Sequence, residues 1–220
     1  MVIFCRQVRV RCYLKYMENS NGEAKGLMAE GAEALVDEFI TKNGLLKELP
    51  VIRIAIAIAE TASQVKKRLL IRKFKSFLTG LTSGDFNETN YEHFRKKILE
   101  DIDFSDKFEE FLYDQIERIE TEEKTQIFGA LVAALINGEL TYSKFVEISI
   151  CLDNLHPTGL IFLGRLAFFG FSISSSEIRE PDEETFLIAA GLGHRAGEKF
   201  IVTKNGEKIY NFARKAGINI

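Results

Sequence analysis

The chain has 220 residues, with 29 basic and 32 acidic side chains for a net charge of −3. A hydrophobic share of 46% against 28% charged is enough to build a packed core and excludes wholesale disorder. The slight acidity, pI ≈ 5.8, argues against a dedicated duplex binder, whose affinity comes largely from neutralising phosphates.

Only 3 prolines and 16 glycines punctuate the whole length, which favours long helices. The opening MVIFCRQVRVRCYLKY alternates at Val8, Val10, Cys12 and Leu14 as a short strand does. It lacks an apolar run followed by a small-residue cleavage site, so secretion is not expected. Met17 is an alternative start, and residues 1–26 are expected to be a flexible or mis-started N-terminus. Cys5, Cys12 and Cys151 are odd in number and none lies in a CxxC pair. Free thiols in a reducing cytoplasm are expected.

A bundle of helices is expected over 27–154. Leu27, Leu35, Val36, Phe39 and Ile40 share one face of a helix ending at Asn43-Gly44. From Val51 to Ala62 the residues are apolar nearly all round, broken by Arg53 and Glu60. The element then turns amphipathic, with Leu69, Leu70, Phe74, Phe77 and Leu78 opposite Lys66, Lys67, Arg68, Arg72, Lys73 and Lys75. The apolar block falls short of the roughly 20 residues that span a bilayer. A buried central helix with a solvated basic half is expected, and those six cations are the candidate patch for an anionic surface.

Helices follow at Asn87–Glu100, at the Phe104–Ile119 stripe, at GALVAALING behind Thr121, and at Thr141–Asn154. The small residues of GALVAALING permit close helix packing before Asn137-Gly138 stops it. Short turns make antiparallel neighbours.

Residues 155–220 form a separate module. TGLIFLGRLAFFG is an apolar helix behind His156-Pro157. SISSSE is expected as a turn, followed by a short helix near Asp182–Ala190 that Gly191 closes. Leu192–Arg195 and Lys199–Val202 pair as a hairpin, and Thr203 caps a last helix. Helix, turn, helix, hairpin, helix resembles a winged-helix domain. KFIVTKNGEKI is similar to the strand–Thr–Gly junction that follows the wing in many bacterial regulators. The middle phrases KKRLLIRKFKSFL and EKTQIFGALVAALINGELTYSKF resemble an uncharacterised group of helical bacterial proteins, some in mobile-element or defence contexts. That resemblance implies a bacterial or phage origin and no chemistry.

The winged-helix resemblance implies a groove-reading helix, which here opens with Glu180, Asp182, Glu183 and Glu184. Carboxylates favour a helix start and repel phosphates. The candidate nucleic-acid patch is therefore confined to Arg195, Lys199, Lys204, Lys208, Arg214 and Lys215.

No catalytic, cofactor or metal residues are expected. His93, His156 and His194 form no ligand spacing, and His156 is a helix-entry residue. Cys151 lies on an apolar stripe with no base beside it. The acids Asp101, Asp103, Asp106, Glu109 and Glu110 are expected to be a solvated face. The function expected is a non-enzymatic cytoplasmic adaptor that docks a protein partner or a second copy. The alternatives are a DNA-binding regulator and a membrane-associated defence effector. They differ in salt-dependent DNA binding and in sedimentation with anionic liposomes.

Overall fold

The computed structural model describes residues 64–178 and 181–220. The N-terminal segment 1–26, the helix expected at Leu27–Thr41 and the apolar stretch Val51–Ala62 lie outside the described residues. So do Arg179, Glu180 and the Lys67 side chain.

The molecule is mainly helical. In chain order it runs α1 (Gln64–Leu81), α2 (Glu88–Glu100), α3 (Ile102–Arg118), α4 (Glu122–Ile136), α5 (Tyr142–Asn154), α6 (Pro157–Phe168), β1 (Ser172–Ser174), a 3-10 turn, α7 (Pro181–Ala189), β2 (Gly193–Ala196), β3 (Lys199–Val202) and α8 (Lys204–Lys215). The helix starts are written locally. Asn87 accepts from the Asn90 amide, Asp101 from Phe104, Thr121 from Lys124, Thr141 from Lys144, His156 from Thr158 and Thr203 from Gly206. Each such cap satisfies an orphan amide and contributes about 1 kcal/mol.

Among the described residues the central helix is α4. Its run Ile127–Ile136 is apolar on every side and buried throughout, as a helix without a polar face has to be. α1 crosses it so closely that neither Gly80 nor Gly129 has room for a Cβ. At Gly80 the added atom would fall on the Gln126 carbonyl, and at Gly129 it would lie 2.7 Å from the Leu81 amide nitrogen. Phenylalanines fill the space between helices. Phe77, Phe128, Phe145, Phe108 and Phe94 form a chain of ring contacts from 5.5 to 6.3 Å, with Phe104, Phe111 and Tyr142 joining from the side. Such pairs add about 0.5–1.5 kcal/mol each beyond burial.

One hydrophobic cluster extends from Leu70 to Ala216, so the elements after residue 154 share the bundle's core. The Gln126 side chain donates to the Ala216 carbonyl at 2.6 Å, fixing α8 to α4.

SISSSE is not only a turn: its first half is a strand. β1 pairs antiparallel with β3, Ile173 opposite Phe200, and β3 pairs with β2, giving the order β1-β3-β2. The sheet thus has three strands rather than the hairpin alone. The reversal after α6 sets this up. Gly170 (φ 69°) and Phe171 (φ 64°) both take the left-handed region, the Phe171 amide donates to Leu166 at 2.8 Å and that of Gly170 to Ala167 at 3.1 Å. This is the two-bond closure common at helix ends. A phenylalanine costs about 1–2 kcal/mol there. Phe171 is held by its ring against Tyr210 at 5.5 Å and by its carbonyl accepting from Val202.

Candidate interaction surface

The short helix α7 starts with three acids, and the structure turns two of them inward. Glu183 and Glu184 are buried, whereas Asp182 is exposed. Arg165 of α6 holds Glu183. Arg195 of β2 holds Glu184 through both guanidinium edges, Nε to Oε2 and Nη2 to Oε1, each at 2.6 Å. The fork geometry of arginine suits this paired contact, and the Glu184 hydrogen bond raises the Arg195 pKa. The expectation that the α7 acids face outward as a group is therefore corrected at Glu183 and Glu184. They lock the sheet and α6 onto α7. Outward, α7 presents Asp182, Thr185, Ile188 and Ala189.

Two of the C-terminal cations, Arg195 and Lys215, are held in ion pairs. Arg195 is committed to Glu184. Lys199 is exposed at the start of β3. On α8, Lys204, Lys208 and Lys215 recur at four and seven residues and share a face. Hydrogen bonds from Asn205 and Lys144 lower the Glu147 pKa, and the charge of Lys208 adds a smaller lowering effect. Lys215 pairs with Glu139 at 2.8 Å. Arg214 falls about 100° round the helix from Lys215 and approaches Asn219 at 3.5 Å.

The described α1 cations have differing surroundings. Lys66 pairs with Glu117, whose hydrogen bond raises the lysine pKa, and Arg72 lies 3.5 Å from Glu122. Arg68 and Lys75 are exposed. Lys73, expected on the solvated side, is buried instead. Its ammonium donates to the Glu117 carbonyl at 2.8 Å, and burial lowers its pKa. Lys124 does the same at the next helix end, donating to the Asp153 carbonyl at 2.8 Å from a fully buried position. Burial lowers its pKa too, against the pull of Glu120 and Asp153. Each lysine satisfies a last-turn carbonyl of a neighbouring helix, where a cation is favoured. Both are structural pins.

Cys151 is half-buried, with the Asn205 amide 3.9 Å from its sulfur, and burial pushes the thiol pKa up. That is opposite to what activates a nucleophile. The histidines sit apart: His93 is exposed on α2 and His194 on β2, while His156 caps α6 and stacks on Phe186 at 4.3 Å. Asp101 caps α3 through the Phe104 amide at 3.0 Å. Among the described residues no group of three His, Cys, Asp or Glu side chains gathers as a metal site would require. No helix described is long and apolar enough to cross a membrane.

An exposed apolar face remains. On α6, Ile161 is 63% exposed and Phe168 88%, and Phe169 just beyond is 52% exposed. The sequence marked this helix as apolar, but which residues face outward depends on how α7 and the sheet pack against it. Comparison with protein-family models, curated protein sequences and solved structures finds no match to this chain.

Proposed function

We propose that the chain is a non-enzymatic interaction protein, a helical bundle whose winged-helix-shaped end docks a protein partner or a second copy. The winged-helix reading is supported by the order helix, strand, helix, hairpin, helix and by the strand order β1-β3-β2. The observation that carries the protein-contact reading is the outward side of α7. A duplex reader needs cations and hydrogen-bonding side chains on that helix, and Asp182, Thr185, Ile188 and Ala189 supply no cation. Among the described residues, Arg165 and Arg195 beside this helix are held by its own acids. The reducing cytoplasm expected from the cysteines is the setting this reading assumes.

A second reading, a DNA-binding regulator, is favoured by the shared face of Lys204, Lys208 and Lys215. Low-salt fluorescence anisotropy with duplex DNA separates the two. No saturable binding is expected. Salt-dependent binding that collapses in the K204E/K208E/K215E variant would overturn the protein-contact reading. Among the described residues the anionic-membrane reading is favoured by Arg68, Arg72 and Lys75, which share one face of α1. Sedimentation with anionic liposomes, lost on reversing those charges, would favour it.

A further inference from the structure

We draw no further inference here: the strongest candidate, the apolar surface patch that Ile161 and Phe168 form on α6 with Phe169 just beyond it, carries none, because nothing in the structure shows what covers it.

Discussion

Gly80 and Gly129 face each other across the α1–α4 crossing, each with the other helix's backbone where its own Cβ would stand. A Cβ at Gly80 would come within 2.7 Å of the Gln126 carbonyl carbon, and one at Gly129 within the same distance of the Leu81 amide nitrogen. Backbone cannot rotate aside as a side chain can, so the helices would have to separate. G80A and G129A are each expected to destabilise the fold by about 3 kcal/mol, the upper part of the range for overpacking. Urea denaturation checks it, and an unchanged midpoint in both would mean that the crossing is looser than described.

The paired lysines give a pH-dependent signature. Burial lowers the Lys73 and Lys124 pKa values, so below the ordinary lysine value of about 10.4 the unfolded chain binds more protons than the folded one. Their contribution to stability is therefore complete above that value and is lost as pH falls through the depressed folded value. K124M removes one such group and leaves the Asp153 carbonyl without its donor, at a cost of about 1–3 kcal/mol. The wild-type advantage over K124M is expected to widen as pH rises from the depressed Lys124 value toward the ordinary lysine value of about 10.4. Burial raises the pKa of Tyr91 and Tyr142, but they titrate alike in both proteins and cancel in the difference. A pH-independent gap would contradict the assignment.

Arg195 and Glu184 form a coupling that a double-mutant cycle resolves. R195A leaves a buried carboxylate without its two guanidinium donors, and its thermal midpoint is expected to fall. Adding E184Q is expected to restore part of that loss, because the stranded charge is gone. Strictly additive effects would mean that the pair does not anchor the sheet to α7.

His156 combines two roles that substitution can separate. It accepts from the Thr158 amide through Nδ1 at 3.2 Å and stacks on Phe186. H156N keeps an acceptor and loses the stack, whereas H156F keeps an aromatic ring and loses the cap. H156A loses both and is expected to cost about 1.5–2 kcal/mol, the sum of a cap and a ring pair. The other two are expected to fall between H156A and the wild type in thermal melts. Equal stability of H156F and wild type would remove the capping role.

What the sequence made legible was local. The helix start at Thr121, the stop at Asn137-Gly138 and the Thr203 cap each depend on residues within one turn. Close packing against α4 was legible too, because a run such as GALVAALI leaves room for a neighbour's backbone, but that α1 comes in at Gly80 was not. β1 was not, since Ser172-Ile173-Ser174 becomes a strand only when β3 lies alongside, Ile173 opposite Phe200, 27 positions later. Nor was the burial of Lys73, which depends on a carbonyl at Glu117 brought near by the fold. The α7 acids show the same limit. Their number at the helix start was plain, and their direction was set by arginines 18 residues before Glu183 and 11 after Glu184.

The Ile220 backbone lies where a Gly164 Cβ would stand, and that has a practical side. Anything joined to the chain after residue 220, whether a purification tag, a fluorophore or a fusion partner, would begin on α6 between Ile161 and Phe168. Such an addition would cover part of the exposed apolar side of α6, where Ile161 and Phe168 stand out. Labels belong elsewhere, and the loop at Gly84, where an added side chain would meet nothing within 4 Å, offers a place.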